Sequence, residues 1–188
     1  MVQAGIPRSD DFNRGDNEGC GFFLVNQKRG VRWNTSKAFL RPVLNRPNLS
    51  VVTDAHVLRL RMAGRRCEGI EFRRAGEDTF AEARLETILA TGSIGSPQIL
   101  QLSGIGPAPL LREHGIGVVH ELRGVGENLQ DHLQLRTISK VRNAVTLNQR
   151  ANSLVGKMMM GLEYALFRTG PLTMAPSQLG GFTRSSSE

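Results

Sequence analysis

The stretch ETILATGSIGSPQILQLSGIG, residues 86–106, decides the fold. Its first part, 86–91, is apolar and favours a buried strand. Ser96 followed by Pro97 has the form of an N-cap and a proline at the first helical position, which predicts a helix over 96–104. A glycine between a strand and a helix in an α/β sheet is a candidate for close approach to a nucleotide. An ordinary strand-to-helix connection is the alternative interpretation.

The residues before this stretch predict a β-rich region. Short apolar runs bounded by turn residues predict strands at 19–27, 31–33, 49–53, 56–62, 66–74 and 79–91. Between 56–62 and 66–74 a turn at Ala63-Gly64 predicts a hairpin. Residues 34–44 predict a short helix, with Asn34 or Thr35 as its N-cap and Pro42 ending it.

The residues after this stretch predict helices and loops. Gly106-Pro107 opens a second short helix, which Gly115 closes, and 124–132 reads as a loop. Residues 147–170 predict a helix that ends at Gly170-Pro171, and the last residues begin a strand. One stripe of that helix is apolar and consists of Leu154, Met158, Leu162, Ala165 and Leu166.

The positive charge has two interpretations. The 188-residue chain has a formal net charge of +7, and six arginines lie between Arg59 and Arg74. They could form a phosphate-binding surface, which would make the chain a non-catalytic basic binding module. Their alternation with apolar residues favours the solvated face of a hairpin, and only Phe72 and Phe80 lie nearby as stacking aromatics. We therefore expect no nucleic-acid partner.

Several classes of protein are disfavoured. The chain contains no P-loop, nucleophile elbow or zincin motif, and its four histidines lack metal-ligand spacing. Cys20 and Cys67 form neither a disulfide framework nor a zinc ribbon and fit a reducing compartment. We expect a cytoplasmic protein without a signal peptide or a transmembrane segment, with peripheral membrane association left open.

The residues of several segments resemble those of one enzyme family. GSPQILQLSGIG at 95–106 resembles the second signature of the glucose-methanol-choline (GMC) family of flavin oxidoreductases, and the similarity is greatest to choline dehydrogenase-like members. Further similar segments are DFN at 11–13, LRPVLNRPNLSVVTDAHVLRL at 40–60, GIGVVHELRGVGENLQDHL at 115–133 and GPLTMAPSQLGGF at 170–182.

The resemblance implies a cofactor and its contacts. Family members bind FAD and oxidise an alcohol to a carbonyl, with hydride passing to the flavin and the hydroxyl proton to a histidine base. Val57 matches the valine whose backbone holds the adenine edge. Thr91, Gly92 and Ser93 match the strand end beside the adenosine and pyrophosphate. Gly95 stands where many relatives carry Asn. The resemblance implies no catalytic residue here, because His132 does not match the family base.

The resemblance also implies an incomplete enzyme. The fold class is α/β, or α+β as a fragment, with part of a doubly wound FAD-binding domain and β-hairpins over 1–135 and the beginning of a substrate domain over 136–188. The family's Gly-x-Gly-x-x-Gly fingerprint and its histidine base lie outside this sequence. We expect a central fragment of an enzyme for a small alcohol, inactive alone; a non-functional truncated product is a further alternative. Ala90–Ser96 is predicted to lie within ~15 Å of Val57, a few strand spacings.

Overall fold

The structure, a computed structural model, describes residues 1–138, 140–144, 146–175, 177–184 and 186. The chain divides into two compact units. Residues Ser50–Ile138 form the first, which we call the hairpin unit. Residues Met1–Leu49 and Ser139–Glu188 together form the second, which we call the ribbon unit. The chain thus leaves the ribbon unit and returns to it. The predicted domains, 1–135 and 136–188, refer to a complete enzyme and stay a prediction.

The regular elements are short. The strands are β1 Gly19–Phe22, β2 Gln27–Lys28, β3 Val31–Arg32, β4 Ala55–Ala63, β5 Arg66–Arg74, β6 Glu77–Glu82, β7 Ile105–Gly106, β8 His120–Glu121 and β9 Leu179–Phe182. The α-helices are α1 Gly92–Leu102, α2 Ala108–Glu113, α3 Leu147–Ala151 and α4 Leu154–Phe167. The remaining helical turns are a π-helix at Ser36–Leu40 and 3-10 turns at Val2–Ala4, Arg41–Val43 and Pro171–Thr173.

The centre of the hairpin unit is a three-stranded antiparallel sheet in the order β4-β5-β6. The predicted hairpin is confirmed, with its turn one residue later than expected, at Gly64-Arg65. Leu60 pairs with Ile70, which pairs with Ala81, so this apolar row lies on one face of the sheet. Helix α1 packs against β4, and Leu60 is buried there. The sheet and α1 therefore share one core.

Helix α1 begins earlier than the sequence predicts. Its N-cap is Thr91, and Ser96 and Pro97 lie inside the helix. A proline disturbs only the turn that precedes it, because its ring opposes the carbonyl four residues back. That turn is the N-terminal one here, so the helix tolerates it. The prediction that Ser96 is the N-cap is wrong; its hydroxyl instead lies 3.1 Å from the Thr91 hydroxyl, within hydrogen-bond distance.

Two of the predicted strands are wrong. Residues 49–53 and 86–91 have no ladder partner among the described residues. The side chain of Ile88, in the middle of the second range, is 78% exposed. Apolar β-branched composition favours a strand only where a neighbouring strand supplies hydrogen bonds. The mixed α/β class is confirmed, and of the ladders in the described ranges only β7–β8 is parallel.

The second half of the hairpin unit follows the sequence prediction closely. Helix α2 ends before Gly115, whose φ of 68° suits the position after a helix. Gly104 has a φ of 81°, and a Cβ there would collide with the Gly117 carbonyl. This glycine therefore permits the close approach of the two segments that carry β7 and β8. Residues 124–132 contain no helix or strand, as predicted.

The ribbon unit is built on a two-stranded antiparallel ladder between β1 and β9. Phe12 lies against Phe23 and Phe182, with ring centroids 5.6 and 5.1 Å away. The predicted helix over 147–170 is divided into α3 and α4, because Ser153 accepts a hydrogen bond from the Gly156 amide and caps a new helix.

The apolar stripe of α4 is present but lies on its exposed side. Leu154 and Leu166 are 84% and 65% exposed, and the buried residue of this helix is Met160. The helical spacing of apolar residues thus predicted a helix. It did not predict which side of that helix is buried by other described residues.

Candidate functional site

The candidate site is the start of α1, where three of the predicted cofactor residues lie together. Gly92 is the first residue of α1 and has a φ of 86°, a conformation that glycine adopts without a Cβ clash. Thr91 and Ser93, on either side of it, are exposed. A Cβ at Gly95 would lie 3.1 Å from the Thr91 hydroxyl oxygen, so the missing side chain leaves room for Thr91.

The electrostatics of this helix start suit an anion. No side chain among the described residues caps α1, and its first turn contains no acidic residue. The first amide groups of a helix have no partner within the helix and carry a partial positive charge. Glycine and serine at the first two positions leave these amides accessible. A phosphate group is therefore the ligand chemistry that fits this end of α1.

A cleft of about 690 Å³ opens beside this helix start. One wall is α1 and the other is the loop after β8. The polar side chains lining the cleft are Ser93, Gln98, Gln101, Glu127, Asn128 and Gln130. The cleft thus places the start of α1 beside several amide and hydroxyl groups and the Glu127 carboxylate.

Gln101 joins the two walls of the cleft and is not among the site residues predicted from the sequence. Its side-chain amide nitrogen donates a hydrogen bond to the Val125 carbonyl over 3.0 Å. A Cβ on Gly126 would lie 2.6 Å from the same nitrogen, so the glycine lets Gln101 lie flat against the loop. Ser93, Pro97 and Gln101 are spaced by four residues and share one helix face. The spacing places Gln101 on this face, but its partner lies 24 residues further along the chain, so no local pattern indicated the contact.

Val57, the fourth predicted cofactor residue, lies on β4 opposite Phe72 and is half-buried. Strand β4 is at the edge of its sheet, so one row of its backbone groups is not used in the ladder. The adenine contact of Val57 stays a prediction.

Ser103 fastens α1 to this strand. Its hydroxyl accepts a hydrogen bond from the Leu60 amide over 2.8 Å and also donates to the Ile99 carbonyl. The contact lies at the C-terminal end of α1. The hairpin unit thus contains all four predicted cofactor residues, while the short distance between Ala90–Ser96 and Val57 stays a prediction.

The arginine-rich face of the sheet is a network of ion pairs. Arg59 and Arg61 both donate to Glu71, over 2.7 and 3.0 Å, and the guanidinium of Arg61 lies 3.7 Å from the centre of the Phe80 ring. The hydrogen bonds from Arg59 and then Arg61 hold the pKa of the Glu71 carboxyl below its usual value. The solvated sheet face predicted from the sequence is confirmed: Arg59, Arg61 and Arg73 are exposed and paired with carboxylates, while Arg65, Arg66 and Arg74 have no ion pair with another described residue.

The same face carries a second ion pair. Arg73 binds both carboxylate oxygens of Asp78, and its hydrogen bond lowers the pKa of that carboxyl. No group of three or more potential metal ligands occurs in the part of the chain that the structure describes. None of the described helices is long and apolar enough to cross a membrane.

The architecture is that of an oxidoreductase segment. The structure superimposes on a crystal structure of formate oxidase with a TM-score of 0.83 and 28% sequence identity, covering 97% of this chain and 32% of that one. Residues 1–134 match the GMC oxidoreductase family. The chain therefore belongs to the GMC oxidoreductase family, as the signature at 95–106 predicts.

Within that family the chain is similar in sequence to alcohol and choline dehydrogenases. The chain is 40% identical to an alcohol dehydrogenase (acceptor) of Pseudomonas putida over 195 residues, covering 100% of this chain and 35% of the relative. It is also 40% identical to the mitochondrial choline dehydrogenase of Mus musculus over 183 residues, covering 97% of this chain and 30% of the relative. The chain thus spans about a third of the length of the relatives it matches.

Proposed function

We propose that this chain is a central part of an FAD-dependent oxidoreductase that acts on a CH–OH donor such as choline or another alcohol. The observation that carries the proposal is the uncapped, glycine-flanked start of α1 within a segment that matches a flavin family. The relatives are named for alcohol and choline oxidation, which supports the class of donor. Residues 1–135 are proposed as part of the FAD-binding domain and 136–188 as the start of the substrate domain.

The residues described above fit the adenosine half of FAD. The first-turn amides of α1, at Gly92 and Ser93, are proposed to face phosphate, and Thr91 to border it. The free edge of β4 at Val57 is proposed to bind the adenine edge through backbone groups. When bound, the flavin supplies the acceptor for the substrate hydride. The protein's part in this segment is to hold and orient the cofactor.

This segment alone is proposed to be inactive. The glycine turn that holds the pyrophosphate in dinucleotide-binding domains is absent from its sequence. Each backbone hydrogen bond offered by Val57 or Gly92 contributes about 1 kcal/mol net. Association costs at least several kcal/mol in lost translational and rotational freedom. The few contacts available do not offset that cost.

A flavin-retention assay tests both parts of the proposal. The 188-residue chain is mixed with FAD, passed through gel filtration and assayed for dye reduction with choline. We expect colourless protein and no dye reduction. A longer protein that contains this segment is expected to retain flavin. Stoichiometric yellow 188-residue protein that reduces dye with an alcohol would show that the cofactor and catalytic residues have been assigned wrongly.

A pair of substitutions in the longer protein tests the helix start itself. Ser93→Asp places a carboxylate where the phosphate is proposed to lie, and it should weaken FAD binding at least tenfold, the equivalent of about 1.4 kcal/mol. Ser93→Asn has nearly the same shape without the charge and is the matched control. Equal FAD affinity for the two variants would show that no phosphate of FAD binds at this end of α1.

A further inference from the structure

The loop after β8 is held to the rest of the hairpin unit at two points. The Leu122 amide donates a hydrogen bond to the Gly106 carbonyl over 3.0 Å. Three residues later the Val125 carbonyl accepts one from the Gln101 side chain, also over 3.0 Å, and the Val125 side chain is buried. Gln101 is therefore the side chain by which α1 holds this loop.

The Gln101 side chain fits between two glycines. A Cβ on Gly106 would lie 3.1 Å from the Gln101 Cγ, and a Cβ on Gly126 would lie 2.6 Å from its amide nitrogen. Both distances are shorter than an ordinary contact between non-bonded carbon atoms, which is about 3.5–4.0 Å. A side chain at either glycine would therefore displace Gln101. The two glycines thus leave a slot that this one side chain occupies.

Beyond this contact the loop forms the second wall of the cleft. Residues 127–130 line the same cleft as Ser93, which lies in the first turn of α1. Two side chains of this wall would act on a phosphate in opposite ways. The Asn128 side-chain oxygen accepts a hydrogen bond from Gln130 over 3.1 Å, so its amide nitrogen is the end that can donate to a ligand. The Glu127 carboxylate can only accept, and its charge repels an anion.

The position of the loop decides which of these two groups meets an anion. Asn128 and Glu127 are adjacent in the chain, so a small rotation of the loop exchanges a donor for a carboxylate. A loop that is held in place before the ligand arrives also lowers the cost of ordering it on binding. The hydrogen bond from Gln101 supplies both effects.

We propose that Gln101 is a positioning residue of the FAD site. It holds the loop after β8 so that Asn128 rather than Glu127 faces the phosphate at the start of α1. This role rests on the proposed function, because it takes a phosphate at α1 as given. Gln101 itself is assigned no contact with FAD.

FAD titrations of the longer protein test this role. The variant Gln101→Met keeps the length of the side chain and loses its donor. It should raise the Kd for FAD about two- to tenfold, the equivalent of one hydrogen bond. Gln98→Met makes the same replacement at an exposed position of the same helix and is the matched control, which should weaken FAD binding less. Equal losses in the two variants would overturn the proposal.

Glu127 supplies a readout that a loss of packing alone would not change. A loosened loop lets the Glu127 carboxylate approach the phosphate, so the loss caused by Gln101→Met should be smaller when Glu127→Gln is also present. The same loss should decrease as salt is raised, because salt screens the repulsion. A loss of the same size with and without Glu127→Gln would show that Gln101 does not act by keeping this carboxylate away.

Hydrogen exchange separates this role from the proposed function. Adding FAD to the wild-type longer protein should slow exchange at 92–94 and at 127–130, whereas in Gln101→Met the slowing at 127–130 should be lost. No slowing at 92–94 in the wild type would overturn the proposed function. Slowing at 92–94 without slowing at 127–130 would overturn the role of Gln101 alone. If circular dichroism shows Gln101→Met to be unfolded, Gly126→Ala reaches the same contact from the loop and should raise the Kd in its place.

Discussion

The two units of this chain satisfy their side chains in different ways. In the hairpin unit a three-stranded sheet places Glu71 between Arg59 and Arg61 and covers Leu60 with α1. In the ribbon unit the ladders have two strands, and the side chains of Leu154 and Phe39 lie exposed. A third strand and a covering helix provide the neighbours that isolated ladders lack. The hairpin unit should therefore contribute most of the measurable stability.

Leu111→Ala should produce the largest effect. The Leu111 side chain is 1% exposed, and its removal leaves a cavity in the hairpin unit. We expect the free energy of unfolding in urea to fall by about 2–5 kcal/mol. Leu154→Ala in the ribbon unit is the control, because that side chain is 84% exposed. Similar losses in both variants would contradict the difference between the units.

Ser103→Ala should have the next largest effect. The substitution leaves the buried Leu60 amide without its hydrogen-bond acceptor, which costs about 1–3 kcal/mol. Hydrogen exchange at the Leu60 amide should become faster, and the free energy of unfolding should fall. Ser93→Ala, at an exposed position of the same helix, serves as the reference. If it destabilises the chain as much, Ser103 does not fasten α1 to β4.

Gln101→Ala should loosen the cleft with a smaller loss of stability. The Val125 carbonyl loses its donor, and the net value of one such hydrogen bond is about 0.5–1.5 kcal/mol. Hydrogen exchange across 124–130 should become faster, while the exchange of β5 stays the same. Gln98→Ala removes an exposed amide from the same wall and is the control. Unchanged exchange in the loop would show that Gln101 does not hold it.

The Glu71 ion pairs should give a small dependence of stability on pH. Because the pKa of Glu71 is lower in the folded chain, the stabilisation is present above the ordinary glutamate pKa of about 4.3. It is lost as the pH falls through the folded-state pKa. Glu71→Gln should reduce the pH dependence of the unfolding midpoint over that acidic range. Glu77→Gln, on the neighbouring strand, should leave the dependence unchanged; a flattening there would mean that Glu71 is not its source.

Local signals predicted those elements that contain their own partners. The β4–β5 hairpin has both strands and its turn within 20 residues, so alternation was enough to predict it. Helix α2 ends before Gly115 because this residue adopts a positive φ, and glycine is the residue type that favours this conformation. The signature at 95–106 likewise identified the family that the comparisons established.

The elements that failed depend on distant neighbours. Residues 86–91 have the composition of a buried strand, yet no described strand pairs with them, and Ile88 is exposed. Helix α1 begins earlier in the chain than predicted, because a proline in the second turn does not prevent the helix from extending on its N-terminal side. The contact of Gln101 with Val125 joins residues 24 positions apart, which no local pattern reports.

By itself the sequence determined the family, the hairpin, the approximate positions of the α-helices though not all their bounds, and several of the glycines at which the backbone turns. Each of these rests on interactions within a few residues or on side-chain identity. Only the tertiary structure decided that β9 returns to pair with β1, that Glu71 joins two arginines, and which face of α4 is covered. Those outcomes depend on hydrogen bonds and apolar contacts between segments that are distant in sequence, and a local sequence pattern does not specify them.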